Sequence, residues 1–356
     1  MKQVVSSSFS FKWLPAILTL SVLLGACGSA NVPGTLSGNS ASGSGTGASV
    51  PGVNLADLPL QRFALPVSNY QVSSLRVAGG QVYVLPTVNA PDPQRHTVIS
   101  LDIASGVAKA EVLLLADEEG FTSQAVAPDG TRYLMIQNVA GNWVGAAKVG
   151  ETLKKMPLGT PGDNLNFLTR TPDGRLWSLQ YRQDALFELS VQSGVQQSHP
   201  VEDNAEDLTA DTGGVLYYSR FLTNPAVIRF DPASGQTRSY PVGIKGKTRP
   251  RLLTATTQSV WFVDSWTRKL SRIDTGSGSI SDLNVPAGAI LAALSASADG
   301  TLWASDVARH ALYRWQPGQL SAQSLSVPGD GPRALEVESG GTVWFESAGA
   351  LYRLSP

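Results

Sequence analysis

The stretch Asp299-Gly-Thr-Leu-Trp-Ala-Ser-Asp306 decides the fold, because its pattern recurs along most of the chain. In each copy a turn residue is followed three positions later by an aromatic residue. Successive copies begin 50, 44, 40, 44, 42 and 41 residues apart. The seven pairs of turn residue and aromatic are Gly80 and Tyr83, Gly130 and Tyr133, Gly174 and Trp177, Gly214 and Tyr217, Gln258 and Trp261, Gly300 and Trp303, and Gly341 and Trp344. Asp-Gly or Gly-Gly precedes six of the strands, which indicates hairpin turns, since Gly adopts a positive φ without steric cost.

A second alternating segment follows each aromatic strand, as in Leu270-Ser-Arg-Ile-Asp274 and Leu312-Tyr-Arg-Trp315. A third segment ends in Pro next to Val or Leu, as in Tyr240-Pro-Val242. Apolar and polar residues that alternate with period two are typical of half-buried strands. About four strands in a repeat of about 40–45 residues make one propeller blade. The sequence therefore predicts an all-β protein with a single seven-bladed β-propeller.

The two ends of the repeat region predict how the ring closes. The last copy stops after its third strand, at Leu351-Tyr-Arg-Leu-Ser-Pro356, so its outer strand is missing. Arg62-Phe-Ala-Leu-Pro-Val67 looks like the outer strands of the other copies, and we expect it to complete blade seven. Such closure removes an open sheet edge. The second blade is the least regular one, with weak alternation over residues 144–149.

The N-terminus predicts export and attachment to a membrane. Residues 1–26 combine a basic start with a short apolar run, which is typical of a secretory signal. Leu24-Gly-Ala-Cys27 resembles the lipobox of bacterial lipoproteins, which implies cleavage before Cys27 and acylation of its thiol and new amino group. Cys27 is the only cysteine, so no intramolecular disulfide can form. The alternative is an unmodified cysteine beside an ordinary signal. Gly28, in place of the aspartate that retains many lipoproteins at the inner membrane, favours the outer membrane or the cell surface.

Composition separates a tether from the repeats and excludes one class of partner. Residues 28–56 carry no charge and are rich in Gly and Ser, which is typical of a flexible coil. We therefore assign residues 27–59 to a lipidated tether and residues 60–356 to the propeller. The chain has a net charge of −1 without the basic stripe of a nucleic-acid-binding protein, and we expect a monomer.

The repeats resemble those of virginiamycin B lyase-like and NHL-type propellers. The resemblance rests on Asp299-Gly-Thr-Leu-Trp-Ala-Ser-Asp306 with Ala311-Leu-Tyr-Arg314, on Trp261-Phe-Val-Asp264 and on Trp344-Phe-Glu-Ser347. The resemblance to the lyases implies catalysis by histidines and a glutamate near a magnesium ion. A resemblance to lactonase propellers would imply a site around a calcium or zinc ion. The present chain has three histidines, His96, His199 and His310, and no Glu-x-His pair. We expect a solvated His199 in an outer strand.

Residues at the mouth of the predicted channel are the candidates for a site. Asp264, Asp306 and Glu346 come from consecutive blades, and converging carboxylates could bind Ca²⁺ or Mg²⁺. Arginines at nearby positions of the repeat could instead pair with these carboxylates, and the result would be an ion-paired surface rather than a metal site. Further candidates for the binding face are Arg220, Arg251, Arg268, Arg333, His310, the long loop 86–97, Trp143 and Trp266 in loops, and Glu118, Asp163, Asn164, Glu206 and Arg249 between blades. The repeat tryptophans are expected to pack between sheets.

Two functions follow from this pattern. The first is a binding or scaffolding module at the cell envelope that recognises a protein, a glycan or a small ligand. The second is a metal-dependent lyase or lactonase-type hydrolase at the channel mouth. Propellers host unrelated activities, so the fold does not choose between them.

Overall fold

The computed structural model describes residues 55–355, apart from short gaps within loops and turns. The gaps are residues 88–89, 92, 114–119, 139–140, 159–164, 181–183, 191–192 and 203. Cys27, the predicted signal peptide, most of the predicted tether, Glu118, Asp163 and Asn164 lie outside the described residues. Within the described part, no helix is long and apolar enough to cross a bilayer.

The described chain contains two short 3-10 helices and 28 strands. The helices cover Leu55–Asp57 and Gln94–His96. The first half of the strands comprises β1 (Leu60–Ala64), β2 (Val72–Ala78), β3 (Gln81–Pro86), β4 (Thr97–Asp102), β5 (Ala108–Val112), β6 (Gly120–Val126), β7 (Arg132–Asn138), β8 (Gly141–Ala147), β9 (Lys154–Leu158), β10 (Leu165–Arg170), β11 (Leu176–Gln180), β12 (Ala185–Ser190), β13 (Gly194–Pro200) and β14 (Ala205–Ala210). The second half comprises β15 (Leu216–Arg220), β16 (Ala226–Asp231), β17 (Gln236–Pro241), β18 (Pro250–Ala255), β19 (Ser259–Asp264), β20 (Leu270–Asp274), β21 (Ile280–Leu283), β22 (Leu291–Ala296), β23 (Leu302–Asp306), β24 (Ala311–Trp315), β25 (Gln323–Ser326), β26 (Leu335–Val337), β27 (Val343–Ser347) and β28 (Ala350–Leu354).

The strands form seven antiparallel four-stranded sheets, which are the blades of a propeller. Blades 1 to 6 each consist of four consecutive strands from β2 to β25, with the first strand of each blade innermost. Blade 2, β6–β9, has the same order as the others. The prediction of seven blades is confirmed.

Blade 7 has the order β1-β28-β27-β26, so the N-terminal strand is its outer strand. Leu60 pairs with Leu354 and Ala64 with Ala350. The closing strand therefore begins two residues before the predicted stretch 62–67 and ends three residues before its end. Its boundary at Ala64 precedes Pro66, which has no N–H for a continuing ladder.

The chain packs against the propeller five residues before the predicted start at residue 60. Leu55 is only 1% exposed and lies among Val343, Phe345 and Leu354 of blade 7. Leu58 is partly buried against the same cluster. This short segment buries apolar side chains although residues 28–54 before it carry no charge and few large apolar side chains, and it covers the boundary between blades 6 and 7.

The core consists of apolar clusters between neighbouring blades. Trp344 of blade 7 packs with Val82, Val84 and Ile99 of blade 1, and Trp177 packs with Tyr218 of blade 4. Trp261 and Trp303 are also buried in such clusters. The expected packing role of the repeat tryptophans is confirmed.

Side chains of one inner strand also bind backbone amides of the next inner strand around the ring. Ser123 Oγ accepts Leu168 N–H at 3.1 Å, and Ser295 Oγ accepts Val337 N–H at 3.1 Å. Asp207 Oδ2 does the same for Leu253 N–H at 3.0 Å. The inner edge of a blade has no neighbouring strand, so these bonds satisfy amides that would otherwise depend on water.

The loops lie on two opposite faces. We call the upper face the one that carries the connections from the second to the third strand of each blade and from one blade to the next. The lower face carries the remaining turns, including the Asp-Gly turns of the repeat. Gly130, Gly174 and Gly300 of these turns have φ between 83° and 95°, which is the conformation that the repeat predicted for glycine.

Candidate functional site

Two of the predicted carboxylates lie on the upper face at equivalent positions. Asp264 is the last residue of β19, and Asp306 is the last residue of β23. Both side chains are buried, at 5% and 0% exposure. A carboxylate that is withdrawn from water needs hydrogen-bond donors around it, and the backbone supplies them here.

Asp264 binds the two loops that meet at its strand end. Its Oδ1 accepts the backbone N–H groups of Arg249 at 2.9 Å and of Trp266 at 3.1 Å. Its Oδ2 accepts the Thr267 hydroxyl at 2.6 Å. Asp264 therefore ties the connection from blade 4 to the loop that carries Trp266.

Asp306 has the same role in the next blade. Its Oδ1 accepts the N–H groups of Ile290, Ala308 and Arg309 at 2.9, 2.9 and 3.2 Å. Its Oδ2 accepts the hydroxyl of buried Tyr313 at 2.9 Å. All four donors belong to the protein, so the carboxylate is satisfied without a ligand.

Glu346 differs from these two residues in position and in environment. It is the second-last residue of β27, so its side chain points to the opposite side of its sheet from the position that Asp264 and Asp306 occupy. Glu346 is 4% exposed, and its Oε1 accepts Gly349 N–H at 3.1 Å. Burial raises the pKa of Glu346 to about 7, although that N–H and nearby Arg333 oppose the rise.

The expected convergence of these carboxylates on a metal ion is not found. Within the described residues, no group of three or more His, Cys, Asp or Glu side chains could hold a metal ion. Both oxygens of Asp264 and of Asp306 already accept N–H or O–H groups. Hard cations need several free oxygen ligands, so these residues do not fit Ca²⁺ or Mg²⁺.

The predicted arginines do not neutralise Asp264 or Asp306 either. Arg220, the last residue of β15, is buried, pairs with Glu202 and donates from Nε to the Asn224 carbonyl at 2.9 Å. Arg251 lies half-buried in inner strand β18, and Arg333 is exposed between blades 6 and 7. Arg268 is exposed in the loop after β19, where its φ is 59°.

The three histidines lie far apart along the ring. His310 is exposed on the upper face, and its Nδ1 lies 2.5 Å from the Gly329 carbonyl oxygen. His96 ends the 3-10 helix in the long first-blade loop. The prediction of a solvated His199 is wrong: its ring packs at 5.6 Å from Trp177 and 4.8 Å from Phe230, and burial lowers its pKa.

An aromatic and charged cluster on the upper face joins blades 4 and 5. Trp266 is 46% exposed in the loop after β19, as predicted, and meets Phe221 edge to face at 6.5 Å between ring centroids. Arg249 lies 4.6 Å over the Phe221 ring. Its Nε and Nη2 donate to the two carboxylate oxygens of Glu206 at 2.8 and 2.5 Å. A bidentate pair of this kind fixes the plane of the guanidinium.

Two aromatic residues of the structure differ from the sequence-based expectation. Phe221 was missed, although it directly follows Arg220 at the start of a loop. Trp143 was expected in a loop, but it lies in β8 and is partly buried against the cluster of Phe121 and Ile136. Trp143 is the third residue of β8 and pairs with Ile136 of β7, so it belongs to the sheet and not to a loop.

Comparison with known proteins places the chain among propellers of one family. Residues 108–352 match the virginiamycin B lyase family. The structure is similar to a virginiamycin B lyase from Staphylococcus aureus, with a TM-score of 0.69 and 17% identity over 84% of this chain and 100% of that one. A streptogramin B lyase structure gives a TM-score of 0.68 at 18% identity, over 84% and 97% of the two chains. A chain of the mitotic checkpoint complex gives 0.62 at 13% identity, over 90% and 98%.

The search of curated proteins returned no match. The identities to solved structures are low, so these likenesses show the fold alone. The family match covers about two thirds of the chain and includes β5 to β28 except for its last residues. The chain belongs to the virginiamycin B lyase family.

Proposed function

We propose that this chain is an exported, lipid-anchored binding protein whose upper face recognises an amphipathic ligand with a planar ring. The observation that carries the proposal is Trp266, a tryptophan that is 46% exposed while its neighbours hold it in place. An exposed large aromatic side chain with rigid support offers binding area at low cost in conformational entropy.

Trp266 is supported by four contacts, two that touch it directly and two that hold its neighbour Phe221 in place. Asp264 binds the Trp266 backbone N–H, and the Phe221 ring packs edge to face against the indole. Arg249 covers Phe221 and is itself fixed by Glu206. This arrangement is preorganised, because each group is already held before a ligand arrives.

The surroundings of Trp266 suit a ligand that is partly apolar. Leu222 and Ile244, on the neighbouring upper-face loops of blade 4, are 44% and 64% exposed. Large apolar side chains that share an exposed surface with charged groups are typical of interaction sites. Arg249 and exposed Arg268 supply polar contacts at the rim of this surface.

The proposed anchor rests on the N-terminal sequence. Leu24-Gly-Ala-Cys27 supplies the small residues and the thiol that lipoprotein processing requires, and residues 28–54 leave a long charge-free spacer before Leu55. Two or more acyl chains give stable membrane residence. The propeller would then bind its ligand at the cell envelope, with the outer membrane or the cell surface as the favoured location.

Quinupristin is a suitable first probe, because a catalytically inactive variant of the Staphylococcus aureus lyase has been crystallised with it. Binding to the purified chain is measured by isothermal titration calorimetry. We expect Trp266→Ala to weaken binding at least tenfold, as for an aromatic residue at the centre of an interface. Val195→Ala, which changes an exposed apolar residue of the outer strand β13, is the matched control and should leave affinity unchanged. Binding that is absent, or equal in both variants, contradicts the proposal.

A lyase-type activity is the second candidate, and Glu346 is the residue that favours it. A carboxylate with a pKa about 7 is suited to act as a general base at neutral pH. Chromatography of quinupristin after incubation with the chain separates the two functions. Unchanged quinupristin supports the binding protein; a product that Glu346→Gln abolishes supports the lyase.

A further inference from the structure

A cavity of about 350 Å³ opens on the lower face between blades 5 and 6. Its volume lies at the lower end of the range of about 300–1,000 Å³ for small-ligand pockets. The wall includes Gln258, Trp261 and Arg272 of blade 5, and Trp315, Gln316 and Gln319 of blade 6. The cavity is thus lined by two indoles and by side chains that hydrogen-bond well, and it is on the opposite face from Trp266.

Trp315 brings an unused donor to this cavity. The residue is 2% exposed, and its Nε1–H has no hydrogen-bond partner within the described part of the chain. Its ring meets Tyr313 edge to face at 5.9 Å. An indole nitrogen can only donate, and a buried donor without an acceptor is costly. An acceptor on a bound ligand would remove that cost.

Arg272 adds a positive charge to the wall, and the nearby Asp274 carboxylate interacts with this charge without forming an ion pair. In blades 6 and 7, Arg314 and Arg353 lie 5.6 and 5.7 Å over Trp303 and Trp344. Arg272 stands opposite Trp261 in the same register, but its Nε donates to Ser259 Oγ at 2.7 Å. Arg272 has no ion pair with any residue that the structure describes, and its guanidinium borders the cavity.

The carboxylate of the wall is already occupied. Asp299 accepts the Ser297 hydroxyl at 2.5 Å and the Thr301 N–H and hydroxyl at 2.9 and 3.1 Å. It does not compete for Arg272. Among the groups that the wall offers to a ligand are therefore the Trp315 N–H, the remaining donors of the Arg272 guanidinium and three glutamine amides.

We propose that this cavity is a second binding site, for a pyranose-sized polyhydroxy acid. The glutamine amides both donate to and accept from the hydroxyl groups of such a ligand, the Trp315 N–H donates to one of its oxygens, and Arg272 pairs with its carboxylate. The proposal is independent of the function assigned to the upper face.

D-glucuronate is the probe, and its binding to the purified chain is measured by isothermal titration calorimetry. Trp315→Phe keeps the ring but deletes the donor, so we expect affinity to fall about fivefold, as for the loss of one hydrogen bond. Arg272→Met deletes the charge and should lower affinity about tenfold or more. The matched control is Trp177→Phe, which deletes another indole N–H without a partner in the described chain, but between blades 3 and 4.

The outcomes separate the sugar from the charge. Binding of glucuronate that exceeds binding of both D-glucose and acetate, and that only Trp315→Phe and Arg272→Met weaken, supports the proposal. Acetate binding as tight as glucuronate overturns the sugar part. Absent glucuronate binding, or equal affinity in all three variants, overturns the site. Melting curves of the variants show that each one is folded.

Discussion

Replacement of Glu346 by Gln should stabilise the protein at pH 8 but not at pH 5. Burial raises the pKa of Glu346 from 4.5 to about 7, so folding favours the protonated carboxyl. Between pH 4.5 and 7 the folded chain holds a proton that the unfolded chain has released. The free energy of unfolding therefore falls as the pH rises through this window, and the loss is complete above it.

The size of the effect follows from the shift. At about 1.4 kcal/mol per pKa unit, the charged carboxylate costs the folded state about 3 kcal/mol at pH 8. The glutamine side chain of the Glu346→Gln variant carries no charge, and its amide oxygen can still accept the Gly349 N–H that Glu346 Oε1 accepts at 3.1 Å. At pH 5 the wild-type side chain is already protonated in the folded state, so most of the advantage of Gln disappears.

Urea unfolding at pH 5 and pH 8 measures this difference. Asp102→Asn is the control, because hydrogen bonds from the Ser105 hydroxyl and N–H lower the pKa of Asp102. The pKa of Asp102 is lowered in the folded state and ordinary in the unfolded one, so the residue is charged in both states at pH 5 and pH 8, and its substitution should have the same effect at both pH values. An equal effect of Glu346→Gln at the two pH values would refute the reasoning, since it would mean that Glu346 stays charged in the fold.

Three further predictions concern the anchor, the loop ties and the N-terminal segment. Cys27→Ser should move the protein from the membrane to the soluble fraction of the producing cells; a variant that still sediments with membranes contradicts lipidation. Asp306→Ala removes the acceptor of three backbone N–H groups and of the Tyr313 hydroxyl, and should lower the free energy of unfolding by about 3 kcal/mol or more. Addition of a chelator should leave the melting temperature of the wild-type protein unchanged. A melting temperature that falls with chelator would instead indicate a bound metal. Leu55→Ala should cost about 2–5 kcal/mol, because Leu55 is 1% exposed in the blade 7 cluster; a loss below about 0.5 kcal/mol in urea unfolding, the usual range of a surface substitution, would show that this segment does not stabilise the ring.

The blades could be predicted from the sequence because the repeat is local. In all copies but one a Gly indicates a turn, and the aromatic residue three positions later indicates a buried position in the strand that follows. Gly300 and Trp303 are one such pair. The closing strand was placed two residues late because its limits depend on pairing with β28, almost 300 residues away. Leu55 was assigned to the tether for the same reason, since its partners lie in blade 7.

The candidate site was harder to predict because its chemistry depends on distant backbone groups. Asp264 and Asp306 were placed correctly at the ends of their strands, but one of the amides that each accepts comes from a residue 15 or 16 positions earlier, in the preceding connection. Glu346 was grouped with them although it lies one residue earlier in its strand. Side chains of successive strand residues point to opposite sides of the sheet. A shift of one residue therefore places Glu346 on the other side from the position that Asp264 and Asp306 occupy.

The closure of blade 7 also bears on how the protein reaches its folded state. Strand β1 is among the first folded residues to be synthesised, but its partner β28 is the last strand of the chain. Contacts between residues so far apart in sequence form slowly, because the loop they close is long. Blades 1 to 6 can assemble during synthesis, whereas the ring can close only after nearly the whole chain has been made. Until then, β1 has no partner strand and Leu55 has no apolar cluster to pack against, and we expect chaperones to act on this N-terminal segment.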